Sequence, residues 1–244
     1  MEATGSVRPS AFSMLAATLI APEDAFAAIR ERPLWVWAML VTLVLASLGS
    51  WLGTPALRHM IEVTMTAQLA NDPHIASLPP DRAAAETQRL VAAGARMANY
   101  SWMFSIVVVP IVVLVESTIL FLIRSLVRSQ ASFAQLFSLT MHAQFISIGI
   151  GSIVLGIVVA LHPASSFRTQ GDFISSIPTA AWLFPGAPLK MTTALSSLSP
   201  FTIWATAVLG LGLTAVANFT RAVAWITAIG LLLAGAGWAA FFAR

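Results

Sequence analysis

Between Arg32 and Arg58 the chain carries no charged residue, and the apolar run at 34–57 within that interval is long enough to cross a bilayer. A transmembrane helix needs roughly 20 predominantly apolar residues. Four further stretches satisfy the same condition. They are 100–123, with Glu116 as its only charge, 136–161, with His142 inside it, 201–217 and 222–243. Only Asn218-Phe219-Thr220-Arg221 separates the last two, a connection short enough for an antiparallel helix hairpin. The fold class this pattern implies is all-α, a polytopic membrane helix bundle with about five spans.

Composition points the same way. Of 244 residues 58% are apolar and 9% charged, against roughly 25% charged in a soluble domain. Net charge is +3, twelve of the thirteen basic residues being Arg, with Lys190 the exception. These bases are not clustered with aromatics, so nucleic-acid binding is not expected. With no cysteine, disulfides, thiolate metal sites and Cys nucleophiles are excluded.

The N-terminal 33 residues read as a separate cytoplasmic segment, and 34–244 as the membrane domain. Arg8, the apolar run at 11–21 and Ala25-Phe26-Ala27 resemble a weak signal peptide. The run is broken by Ser13 and Thr18, however, and the first span starts only at Leu34, so the segment is expected to be retained. Phe12, Leu15 and Leu19 fall at helical spacing. In PEDAFAAIRERP (22–33), Pro22 suits a first turn, Glu23 and Asp24 suit the helix dipole and Pro33 stops the helix. Phe26 and Ile29 share a face opposite Arg30, as in a helix lying in the headgroup plane or packed on its own protein.

The stretch 58–99 is polar. Pro79-Pro80-Asp81 reads as a helix start with Asp81 as cap, and the helix that follows is expected to run unbroken into the second span. The stretch 162–200 has Pro163, Pro178, Pro185, Pro188 and Pro200, which deny it a long helix. Its WLFPGAPL patch is expected either at the interface or over the bundle. Arg8, Arg30, Arg32, Arg124, Arg128 and Arg221 fall on one side of the membrane. Arg58, Arg82, Arg89, Arg96, Arg168, Lys190 and Arg244 fall on the other. The first group sits in short segments beside spans, where the positive-inside rule acts, so a cytoplasmic N-terminus is expected.

No catalytic, cofactor-binding or metal-binding constellation is written in the chain. His59, His74, His142 and His162 do not stand at ligand spacing on one helix face. Phosphate loops of the GxxxxGK type are absent, and Gly171-Asp172 has no partner aspartate in a span. Gly149-Ile150-Gly151-Ser152 reads as a packing surface rather than a nucleophile's setting. Small residues do form stripes at helical steps. The third span carries Ser138, His142, Phe145, Gly149, Ser152 and Gly156. The fourth carries Thr202, Thr206, Gly210, Thr214 and Ala217, and the fifth Thr227, Gly230, Ala234 and Gly237. Such stripes allow close backbone approach within a bundle or between copies.

Glu116 is the one acid inside a span. Its structural reading is a hydrogen bond to a neighbouring helix, and its functional reading is a proton or cation relay. Glu116 stands eight residues before Arg124, and His142 eight after Ala134. Each is therefore roughly 12 Å from a helix end. An antiparallel pair of spans puts them at one depth, and they are expected to face each other.

Pro22, Ala25, Phe26, Ile29 and Pro33, with SFAQLFSLTMHA at 132–143 entering the third span, resemble the Yip family of Ypt/Rab-interacting membrane proteins (the Yip-one domain), in its bacterial branch. The resemblance runs from about Leu19 to the end and implies five helices with a cytoplasmic N-terminus. Eukaryotic members are associated with vesicle trafficking and small GTPases. Their acidic-aromatic Tyr-Gly-Pro segment is missing here, the only tyrosine being Tyr100, so small-GTPase binding is not implied. The expectation is a non-enzymatic protein of the inner (cytoplasmic) membrane, without cofactor. Its partners would be the lipid bilayer with protein partners or further copies of itself, and its role the organisation of partners or bilayer shape. The alternative is a small transporter or transporter subunit using Glu116 and His142.

Overall fold

The computed structural model describes residues 11–243. Arg8 and Arg244, counted above for topology, lie outside them. Among the described residues every regular element is helical. In chain order these are α1 (Ala11–Ile20), α2 (Pro22–Glu31), α3 (Val36–Leu52), α4 (Thr54–Leu69), α5 (Pro73–Ala76), α6 (Pro80–Ala98) and α7 (Ser101–Leu126). There follow α8 (Phe133–Gln144), a π-helical segment (Phe145–Ile150) and α9 (Gly151–Ala160), then α10 (Gln170–Ile174), α11 (Leu189–Ser196), α12 (Pro200–Ala217) and α13 (Arg221–Phe242).

Four helices are long and apolar enough to cross a membrane: α7, the continuous helix Phe133–Ala160, α12 and α13. A fifth candidate is the bent pair α3–α4, which passes the same test only when the two helices are taken together. The first apolar run ends at Leu52, short of the expected 57, and α4 leaves α3 at 51°. The cause is Pro55 just after Gly53: it has no N–H for the carbonyl of Trp51, and its ring collides with that carbonyl in a straight helix.

The chain forms two compact units. The first comprises the residues up to Thr42 with Val109–Gly149 and Phe201–Ala234. Here α1 and α2 pack on each other and on α8. Pro22 at the first position of α2, with Glu23 and Asp24 in its first turn, starts that helix as the sequence leads one to expect. Ala25, Phe26 and Ile29 are buried, so the apolar face of α2 is covered by the protein itself. Leu136, Leu139, Met141, Val113, Leu120, Val208 and Leu213 form the fully buried interior. Trp35 meets Phe137 edge-on at 5.2 Å between ring centroids.

The second unit comprises Leu43–Val108, Ile150–Pro200 and the chain from Gly235. Its decisive contact is between backbones. A Cβ on Gly49 would lie 2.2 Å from the carbonyl oxygen of Ser152, and one on Gly156 would lie 2.3 Å from that of Gly49. Thus α3 and α9 meet with no side chain between them. Ser47 donates to the Trp102 carbonyl at 3.3 Å and Ser50 Oγ lies 3.4 Å from Ser105 Oγ, holding α7 along α3. α6 packs along α4, which bends away from α3 at Gly53. The long helix expected from α6 into the second span is interrupted at Asn99-Tyr100, where Asn99 and Tyr100 bond back to Arg96 and Met97. A second correction concerns Asp81. The cap position of α6 is Pro79, and Asp81 sits inside the first turn, where its charge meets the helix dipole.

The proline-rich segment lies across α4 and α9 through Phe167, which packs with Ala56, Val159, Leu155 and Phe173. Trp182, Leu183 and Phe184 of the apolar patch are exposed, with Trp182 Nε1 donating to the Ser175 carbonyl at 3.1 Å.

The glycine contacts generate a graded expectation. Gly49→Ala and Gly156→Ala should each destabilise the protein on thermal unfolding in detergent, by on the order of 1–3 kcal/mol for overpacking. Ser152→Ala should be nearly silent, because Ser152 meets Gly49 through its backbone. A Gly49→Ala protein that unfolds at the wild-type temperature would contradict the contact.

Candidate functional site

The two segments singled out in the sequence, 22–33 and 132–143, meet in the first unit. Ser132 opens α8 with a capping box: its hydroxyl accepts from the Gln135 N–H at 3.2 Å, and Gln135 Oε1 accepts from the Ser132 N–H at 2.9 Å. The other end of the same amide reaches α2, where Gln135 Nε2 donates to the Arg30 carbonyl at 2.8 Å. Gly212 of α12 admits this junction, since a Cβ there would lie 2.2 Å from Leu139 Cδ1 and 2.9 Å from Phe26 Cε1.

The turn between α7 and α8 is held by polar side chains. Arg124 Nη1 donates to the Ala131 carbonyl, and its guanidinium lies 4.2 Å from the Phe121 ring centroid. Arg128 adopts a left-handed φ of 54°, which lets the chain reverse. Ser129 then donates to the Ala217 carbonyl at the end of α12 and accepts from the Ala131 N–H at 3.2 Å.

Glu116 and His142 do not pair. Glu116 Oε2 accepts from Gln144 Nε2 at 2.7 Å, and Gln144 Oε1 accepts from Ser147 Oγ at 2.5 Å. His142 is 1% exposed and donates from Nδ1 to the Ser138 carbonyl, one turn earlier, at 2.7 Å. The physical reason lies in rotation. Two residues along a helix turn the side chain by roughly 200°, so His142 and Gln144 point to opposite sides. Gln144 takes the side of Glu116. Glu116, Gln144 and Ser147 are half-buried, a polar chain on the flank of α7 and α8, and the π-helical segment starts directly after Gln144. Segments of that kind recur at functional sites.

The expected packing residues divide. Ser152 and Gly156 meet Gly49 as described. Gly149 is buried, with Thr42 Cα 3.5 Å from where its Cβ would be, and a Cβ on Gly210 would lie 3.1 Å from the Trp225 ring. Ser138 is fully buried, and its carbonyl serves His142. Gly230 and Gly237 are different: a Cβ at either would meet nothing within 4 Å, so neither packs closely inside this chain. Exposed Ala234 lies between them on the same outward stripe. Gly49 and Gly212, by contrast, were not among the expected positions. Each stands within an apolar span, but outside the stripes of its neighbours.

Among the described residues no three of His, Cys, Asp and Glu gather in a metal-binding group. Two grooves are prominent. One, in the second unit, has a volume of about 660 Å³ between α4 and α6, lined by Arg58, Glu62, Thr66, Gln88 and Arg96. The other, in the first unit, has about 570 Å³ between α2 and the facing ends of α12 and α13, lined by Glu23, Arg30, Leu211, Thr214, Arg221 and Trp225.

The Glu116–Gln144 bond should show in a double-mutant cycle. Glu116→Ala and Gln144→Ala should couple by about 0.6 kcal/mol, the average for intramembrane hydrogen bonds, in reversible unfolding from lipid or detergent. Glu116→Ala with His142→Ala should be additive. Coupling confined to the His142 cycle would contradict the geometry.

Compared with known proteins, the chain is matched over residues 16–242 by a family model, that of the Yip1 domain. No curated protein and no solved structure gave a match.

Proposed function

Since this chain belongs to the Yip1 domain family, and since four helices and a bent fifth segment are suited to crossing a membrane, we propose that it is a non-enzymatic multi-pass protein that organises membrane partners or bilayer shape. The observation that carries this reading is the α1–α2 pair ahead of the first span. Met14, Leu15, Thr18, Ala25, Phe26 and Ile29 anchor the pair in the first unit, while Phe12 and Ile20 of α1 stay 67% and 85% exposed. A helix pair fixed beside span ends with apolar side chains pointing outward is suited to enter the headgroup and upper acyl region of one leaflet.

The transport reading rests on Glu116 and His142. Gln144 engages Glu116, and the Ser138 carbonyl engages His142, which favours structural roles for both. We place the protein in the inner membrane with its N-terminus in the cytoplasm, the orientation that the arginine distribution supports.

Reconstitution tests the role. Full-length protein should shift the diameter distribution of vesicles in electron micrographs, and Phe12→Asn with Ile20→Asn should restore the protein-free distribution at equal incorporation. Crosslinking from the same two positions in native membranes reads the partner-organising arm. Unchanged vesicles together with no reproducible protein crosslink would overturn the proposal.

Topology is tested separately, because the chain has no cysteine. Ser129→Cys and Ser175→Cys should label from opposite faces of the membrane with an impermeant thiol reagent, Ser129→Cys from the cytoplasmic face. Labelling of both from one face would overturn the five-span arrangement.

A further inference from the structure

We propose that the groove between α2, α12 and α13 binds an anionic phospholipid from the surrounding leaflet, its phosphate held by Arg30 and Arg221. This inference rests on membrane residence and is independent of the organising role.

Position comes first. Arg30 lies in the last turn of α2, six residues before α3 begins the first span, and Arg221 is the first residue of the last spanning helix. Both are therefore placed at span ends, in the headgroup layer, where lipid phosphates lie. Both side chains are exposed in the groove, and among the described residues neither forms an ion pair. Gln135 reaches the carbonyl of Arg30 and leaves the guanidinium free to act. Two guanidinium groups facing one volume match the acceptor oxygens of a phosphodiester.

The rest of the lining matches a lipid better than a free ion. Leu211 is 40% exposed and Trp225 37% exposed, and the indole lies against α12 because Gly210 has no Cβ to hold it off. An acyl chain below the phosphate has an apolar wall to follow. Indole rings are at home at this depth. The Thr214 hydroxyl already donates to the Gly210 carbonyl, so the arginines are the phosphate donors.

Glu23 decides the headgroup class. With two arginines and one carboxylate the groove carries a net charge of +1, complementary to a lipid of net charge −1. The hydroxyls of a glycerol headgroup are donors that Glu23 accepts. A glutamine at this position keeps an oxygen to accept from those hydroxyls and lifts the repulsion between the carboxylate and the phosphate, so the hold on such a lipid strengthens. A zwitterionic ethanolamine headgroup would behave in the opposite way, because its ammonium would lose its partner.

The test uses the full-length protein in detergent, with thermal shift and native mass spectrometry after addition of phosphatidylglycerol, phosphatidylethanolamine, phosphatidylcholine or inorganic phosphate. Phosphatidylglycerol should raise the unfolding temperature most and remain bound. Arg30→Gln and Arg221→Gln should each weaken its binding roughly fivefold, the contribution of one arginine at a membrane surface. The double variant should lose the lipid preference, and Arg82→Gln should keep it. Glu23→Gln should tighten phosphatidylglycerol. Undiminished preference in the double variant, or a phosphate-induced shift equal to that of the lipid, would overturn the proposal. Weaker binding by Glu23→Gln would overturn the anionic assignment, and this variant leaves both arginines in place should their replacement impair folding.

Discussion

Lipid tails offer helices no hydrophobic reason to associate, so van der Waals contact between backbones decides which helices meet. In this chain that contact is made where a side chain is missing. Gly49 lies against the Ser152 carbonyl and Gly156 against Gly49, which joins α3 to α9. Gly210 receives the Trp225 ring and Gly212 receives Leu139 and Phe26, whereas a Cβ on Gly149 would make only ordinary contact with Thr42. Larger features follow from these approaches. With α3 fixed on α9 and α7 on α3, the bend at Gly53 carries α4 and α6 away together. Gly94, whose absent Cβ would come within 2.3 Å of Met65 Sδ, keeps those two helices in contact.

Polar groups work differently, since their contribution is the avoidance of an unmet donor or acceptor in a medium without water. Glu116, Gln144 and Ser147 form a directional chain in which Gln144 donates to one neighbour and accepts from the other. An amide is suited to the central place, because it carries both functions on one rigid plane. His142 has no need of a carboxylate for its Nδ1–H once the Ser138 carbonyl accepts from it. The pairing of acid with imidazole thus yields to two local solutions, each with a nearer partner.

The spans were legible in the sequence because apolarity is a local property, and the helix ends fall within a few residues of the apolar limits. The departures come from relations that no single segment contains. Gly53-Thr54-Pro55 was in view, but a run of uncharged residues hides a bend that only the missing amide reveals. The break at Asn99-Tyr100 falls where no proline or glycine announces it, between a helix packed on α4 and one held along α3. Depth along a helix is readable, so Glu116 fell near the right level. Azimuth needs the neighbouring helix, and the sequence could not choose between His142 and Gln144. The groove was invisible for a plainer reason: Arg30 and Arg221 stand far apart in the chain and come to line one groove only once α12 and α13 reverse beside α2.

The ends of the spans pose a problem that their middles do not, because the last carbonyls of each helix have no intrahelical partner. In the first unit, side chains meet two such needs, Gln135 serving the Arg30 carbonyl of α2 and Ser129 that of Ala217 in α12, while Arg124 serves the Ala131 carbonyl in the turn. These bonds carry direction as well as stability, since each fixes which helix end stands beside which. Gln135 gives the set an order. Its Oε1 closes the cap of α8 with or without α2, whereas its Nε2 holds α2 only while the cap keeps the side chain turned toward Ser132. The helix ahead of the first span is therefore positioned by the start of the third, and the dependence does not run the other way. The bond does not act alone, because Ala25, Phe26 and Ile29 of α2 are buried in the same unit, so direction from Gln135 and apolar burial together fix the pair beside the spans.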